Sequence, residues 1–211
     1  MLNPMPKDAV IQEIQFLVSQ ILHDFISHFT AISTGLDMPL HMAKEIFPML
    51  LHSRQQLNAY LNVMRYLFSQ GNGSDHSGTD MITAYGTSLG ITITGHSEHH
   101  SKIITGLTLW AIKQVQARSQ TCISRTNDAI HIHSPCLKPD LCDVSVLLGQ
   151  ANIKSPRDSL SAYLARLLAQ SGMALTTHSP SGQELVIQLQ PEAQTSAPME
   201  PKAFPMASYP S

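Results

Sequence analysis

His23 and Asp24 stand side by side in the stretch Gln20-Ile21-Leu22-His23-Asp24-Phe25-Ile26-Ser27. An imidazole next to a carboxylate is a nucleophile with an orienting group. One ring nitrogen attacks, while the acid hydrogen-bonds the other, fixing the tautomer and stabilising positive charge on the ring. A histidine that receives a phosphoryl group needs this arrangement, and it needs to be exposed enough for a second protein to dock over it. Ser27 and Thr30, one and two turns on, are small and keep the approach clear. The plainer reading of the same pair is a solvated histidine beside a helix-surface acid.

The element that must position this pair is a long helix. Ile14, Val18, Ile21, Phe25, Phe29 and Ile32 recur at spacings of three and four, which marks a face that has to be buried. Gln20, His23, Ser27, Thr30 and Thr34 recur the same way on another face. At roughly 100° per residue His23 lies about 200° from Ile21 and Phe25, so it points away from the apolar seam. Leu17, Leu22 and Ile26 widen the apolar surface. A helix apolar on two sides needs more partner than one neighbour supplies, and the expectation is a dimeric four-helix bundle built from two hairpins.

In chain order, Met1 to Pro6 form a short leader, and Pro6, Asp8 and Glu13 suit the start of a helix running to about Asp37. Pro39 interrupts it. A second helix is clear from about Phe47 to Gln70, with Leu50, Leu57, Leu61, Met64 and Phe68 on one stripe. Pro48 sits in its first turn or kinks a longer helix that starts near Leu40. Gly71 to Gly78 is a polar, glycine-rich linker and the natural domain boundary. Beyond it the pattern predicts a helix at Asp80–Leu89, a strand at Gly90–Thr94 and a helix at Ile103–Arg118. A hairpin of Thr121–Ser124 with Ala129–His133 follows. Ser155 and Pro156 open a helix that Gly172 closes, and Ala174–Thr177 pairs with Glu184–Gln190. The organisation is α+β: residues 1–70 a helical hairpin, residues 79–190 an α/β sandwich, and residues 191–211, with five prolines from Pro191 on, a disordered tail.

Three segments carry a resemblance. His23-Asp24-Phe25-Ile26-Ser27 followed by Ala31-Ile32-Ser33-Thr34-Gly35-Leu36-Asp37 resembles the phosphoacceptor helix of ChpT-type bacterial histidine phosphotransferases. Ser53-Arg54-Gln55-Gln56 with Arg65-Tyr66-Leu67-Phe68 is similar to that family's second helix. Ser155-Pro156-Arg157, Ala162-Tyr163-Leu164-Ala165 and Gly172 are similar to its late helix. The resemblance implies a homodimer that passes a phosphoryl group between receiver-domain aspartates. Those receivers would belong to a hybrid histidine kinase and to response regulators. It makes His23 the carrier, Asp24 its orienting acid, and Gln20, Ser27 and Thr30 the docking face. Independently of the resemblance, Arg54 lies close to the apolar stripe of the second helix, where a cation could meet Asp24 or a docked partner; the plainer reading is an arginine that merely snorkels. Magnesium would come with the receiver, so no bound cofactor is implied.

The second domain resembles the ATP-binding domain of sensor histidine kinases, but its chemistry is degenerate. The helix Ile103-Ile104-Thr105-Gly106-Leu107-Thr108-Leu109-Trp110-Ala111-Ile112-Lys113 has no asparagine or acid to hold magnesium, and no DxGxG loop occurs. The kinase reading fails on its own required residues. Only 13% of residues are charged and the net charge is −2, which gives nucleic acid no electrostatic footprint. No apolar run reaches the ~18 residues of a membrane span, and the N-terminus lacks a signal pattern. Cys122, Cys136 and Cys142 show no CxxC spacing, so a zinc site or disulfide framework is not expected. His96, His99, His100, His131 and His133 read as solvated loop histidines rather than metal ligands. His23-Asp24 lacks the upstream histidine of an HD-type phosphohydrolase. A cytoplasmic phosphotransfer protein fits best; the alternative is a non-catalytic dimeric interaction module in which His23 is incidental.

Overall fold

The computed structural model describes residues 7–69, 75–95, 101–116, 118–135, 137, 141–181 and 183–191. The expected leader, residues 192–211 of the expected tail, His96, His99, His100 and Cys136 lie outside them, while Pro191, the first residue of that expected tail, ends a strand. The first helix, α1 (Lys7–Leu36), runs 30 residues as the apolar periodicity requires. Pro39 starts a 3-10 turn at Leu40–Met42, and α2 (Ala43–Phe68) returns against α1. Pro48 lies inside α2 as its sixth residue, where its missing amide deprives the Lys44 carbonyl of its helical partner. The helix α3 (Asp75–Ser88) opens inside the glycine-rich segment, earlier than expected, and packs on α2.

Five strands form one sheet in the order β1-β2-β3-β5-β4. They are β1 (Thr92–Thr94), β2 (Cys122–Arg125), β3 (Ala129–His133), β4 (Met173–Ser181) and β5 (Glu184–Pro191). Only β1 and β2 are parallel; the other pairs are antiparallel. The register sets Ile93, Ile123, Ile132 and Leu185 in one row across four strands, all buried. Alternate residues point the other way, so His131 and His133 stand across from Ser124 and Cys122 on the polar face. Among the described residues no group of three or more His, Cys, Asp or Glu could hold a metal.

Against the apolar face lies α4 (Ser101–Gln114), of which every residue except Lys102 and Lys113 is buried. A helix apolar all round is a core helix, and Trp110, 1% exposed, fills its centre. Two helices escape or follow the sequence pattern. The short α5 (Leu141–Leu147) was not expected at all. The late helix α6 (Ser159–Gln170) follows a 3-10 turn at Pro156–Asp158 with a capping box between Ser155 and Asp158, and Gly172 ends it at φ +62°. Gly106 of α4 permits close approach of α6, because a Cβ there would collide with Leu164.

Tyr60, Val63, Met64, Tyr66 and Leu67 of α2 belong to the same buried cluster as α4 and the sheet. The hairpin is therefore docked on the sandwich through one continuous core. That docking fixes how α1 is turned, and here the sequence expectation needs correcting. Ile21, Phe25 and Ile32 are half-buried, but Ile14, Val18 and Phe29 are exposed at 49%, 48% and 55%. The inward face of α1 carries Glu13, Leu17, Gln20, Ile21, Asp24 and His28 instead. Polar groups can face inward because the sandwich supplies partners. Arg166 of α6 donates to Glu13 Oε2 at 3.2 Å and lies 3.2 Å from Oε1. Lys113 of α4 does the same for Asp24.

Candidate phosphoacceptor site

Asp24 is the centre of the local hydrogen bonding. Its Oδ1 accepts from Gln20 Nε2 at 2.8 Å, one helical turn earlier. Its Oδ2 accepts from the Tyr60 hydroxyl of α2 at 3.0 Å and from Lys113 Nζ of α4 at 2.9 Å. Three helices thus meet on one carboxylate. Burial pushes that carboxyl up, but the Lys113 charge and the hydrogen bonds from Lys113, Tyr60 and His23 outweigh it, leaving Asp24 below its ordinary value. Tyr60 pays the complementary cost: burial, the nearby Asp24 charge and the bond to Asp24 hold its hydroxyl well above the usual range. The ring of Tyr85 of α3 lies tilted against Tyr60 with centroids 5.7 Å apart, and burial pushes its hydroxyl up to about 12.

His23 lies on the outer side of this arrangement. Its side chain is 76% exposed, and Nδ1 is 3.4 Å from Asp24 Oδ1. That distance is long for a hydrogen bond and short enough to close by a small ring rotation. With Nδ1–H directed at Asp24, Nε2 is left facing solvent with its lone pair free to attack. Ser27 Oγ donates to the His23 carbonyl at 2.9 Å, tying its hydroxyl to the helix rather than leaving it over the ring. Thr30 is exposed farther along α1.

The expected residues are thus divided. Structure brings Gln20 and Asp24 together with His23, and leaves Ser27 and Thr30 exposed beside it. Gln20 is half-buried and spent on Asp24, so it steadies the carboxylate more than it lines a docking face. Arg54 is exposed on α2 and makes no ion pair among the described residues; the cation that meets Asp24 is Lys113. Tyr60 and Lys113 were missed. The available signals were a hydroxyl at helical spacing among Leu57, Met64 and Leu67, and a lone lysine late in an apolar helix. Their pairing with Asp24, 36 and 89 residues away, has no local signature.

Two hollows flank the pair. A shallow groove of about 890 Å³ follows the outer face of α1, lined by Ile14, Val18, Leu22, His23 and Ile26. A polar cleft of about 510 Å³ lies on the inner side, between Asp24, His28, Lys113, Arg118 and Arg157. Burial and the neighbouring Arg118 hold His28 below its ordinary value, against the pull of Asp24. His28 packs its ring 6.3 Å from Tyr60. Of these two histidines on α1, only His23 combines exposure with a contacting acid.

Among solved structures, a bacterial phosphotransferase shares this fold, with a TM-score of 0.72 over 90% of this chain and 98% of its own. Sequence identity to it is 16%, so the likeness is one of architecture. No family model and no curated protein matches the sequence. No helix among the described residues is long and apolar enough to cross a membrane.

Proposed function

We propose that the chain is a ChpT-type histidine phosphotransferase, shuttling a phosphoryl group between receiver-domain aspartates through His23. The observation that carries this reading is a histidine 76% exposed on a helix whose adjacent carboxylate is anchored from three helices. A fold shared with a bacterial phosphotransferase supports it at the level of architecture.

In the forward step the Nε2 lone pair of His23 attacks the phosphorus of an aspartyl phosphate. The bond from phosphorus to the acyl oxygen breaks, and its electron pair returns to the receiver's carboxylate. The Nδ1 proton stays on the ring, which carries positive charge opposite the ionised Asp24. The reverse step, to a second receiver, uses the same geometry. Magnesium and the acidic cluster come with the receiver, and this chain contributes position and charge.

The exposed apolar stripe suits the second expectation, a homodimer. Ile11, Ile14, Val18, Leu22, Ile26 and Phe29 are each 48% to 58% exposed along one side of α1. A continuous apolar stripe of this length marks an association surface, and a second hairpin would complete a four-helix bundle. The sandwich takes the part of the degenerate ATPase-like domain, gripping the receiver's far side. A non-catalytic dimeric module would account for the stripe and for Asp24 as a structural anchor, but it gives the exposed His23 beside that acid no role.

The test is a three-component relay. A labelled phospho-receiver, this chain and an unlabelled second receiver should pass label to the second receiver, and omission of the chain or His23→Ala should stop it. Transfer at an unchanged rate with His23→Ala would overturn the reading.

A further inference from the structure

Lys113 is the one exposed residue of a helix that is otherwise buried apart from the half-buried Lys102, and its ammonium reaches out of the sandwich to Asp24 Oδ2 at 2.9 Å. It is about a third exposed. Other groups face the same carboxylate: His23 and His28 from α1, Tyr60 from α2 and Tyr85 from α3. Arg118, Arg157 and Asp143 line the adjoining cleft, and Asp143 is occupied by Trp110, Gln114 and Ser161. Of all these, Lys113 alone places a cation in contact with Asp24.

We propose that Lys113 is a positioning residue for His23, through which the sandwich domain controls the phosphoacceptor. By occupying Oδ2 together with Tyr60, it leaves Oδ1 turned toward Nδ1 of His23. By its charge it keeps Asp24 ionised despite burial, so the acid can accept the Nδ1 proton's hydrogen bond throughout the transfer. Lys113 touches neither the phosphoryl group nor the attacking nitrogen; it acts through Asp24. The degenerate domain is thereby part of the reacting geometry as well as a docking surface. The same contact ties the hairpin to the sandwich, because it joins Asp24 of α1 to the last turn of α4.

This inference rests on the phosphotransfer reading, and the experiment separates the two. The rate of labelling by a phospho-receiver is measured against pH for the wild type, Lys113→Met and Lys113→Arg. His23 tautomer is read by nitrogen NMR in the same proteins. Lys113→Met should slow labelling about tenfold and move the acid limb up by about one pH unit, the effect of losing a cation beside a carboxylate. The Nδ1–H tautomer should lose population, and Lys113→Arg should restore both readouts. A labelled wild type with a Lys113→Met profile and tautomer unchanged overturns the inference and leaves phosphotransfer standing. A loss that merely tracks the unfolded fraction in both variants overturns it as well. A wild type that takes no label overturns the phosphotransfer reading itself.

Discussion

Replacing Asp24 by alanine removes the acceptor shared by Gln20, Tyr60 and Lys113. Tyr60 is 1% exposed, so its hydroxyl is left unpaired inside the protein at a cost of about 1–3 kcal/mol. Gln20 and Lys113 are partly exposed and regain water, so each adds at most about 0.5–1 kcal/mol. The expected loss is about 2–4 kcal/mol. For a chain of this size that lowers the thermal midpoint by roughly 5–15 °C at fixed protein concentration. Tyr60→Phe removes only the donor and should cost about 1 kcal/mol, and the double-mutant cycle should return a coupling of similar size. The pH dependence has a definite sign. Asp24 is held below its ordinary value, so its contribution is full above that value and vanishes as pH falls through the folded one. The gap between wild type and Asp24→Ala should therefore close on acidification. Circular dichroism melts measure all of this. An Asp24→Ala protein within about 0.5 kcal/mol of wild type, or a cycle with no coupling to Tyr60, would refute the anchoring argument.

Two further outcomes are expected. Ile26, 58% exposed on the outer stripe of α1, should hold the dimer together: Ile26→Glu should give a monomer or an insoluble chain, because burying an unpaired carboxylate costs several kcal/mol. A wild type that sediments as a monomer at micromolar concentration would contradict this. Calorimetry with ATP and magnesium should show no heat of binding, since α4 presents Trp110 and aliphatic side chains to the core and carries no asparagine or carboxylate to hold a metal. Micromolar ATP binding would return the kinase reading to contention.

Much of the architecture was legible because it rests on short-range rules. The apolar period gave both long helices, the Ser155-Pro156 cap and Gly172 bracketed α6, and short runs on either side of turn residues placed both hairpins. The α5 helix was missed because seven residues, Leu141–Leu147, are too few to show a period. The facing of α1 was misjudged for a deeper reason. Apolar residues mark a surface that wants cover but do not say whether the cover comes from the same chain. The acids Glu13, buried, and Asp24, half-buried, decide the facing, and they turn inward only because Arg166 and Lys113 arrive from elements far along the chain. For the same reason His23 and Asp24 were readable as a pair from adjacency, while Tyr60 and Lys113 became visible only in three dimensions.

The central claim is that His23 carries the phosphoryl group, and locating the adduct tests it most directly. After incubation with a labelled phospho-receiver, the chain should hold an acid-labile, base-stable phosphoryl group, placed by mass spectrometry on His23. His23→Ala should fold normally, because that side chain is 76% exposed, and should take no label. Label that persists in this variant, or that maps to His28 or any other residue, would contradict the account.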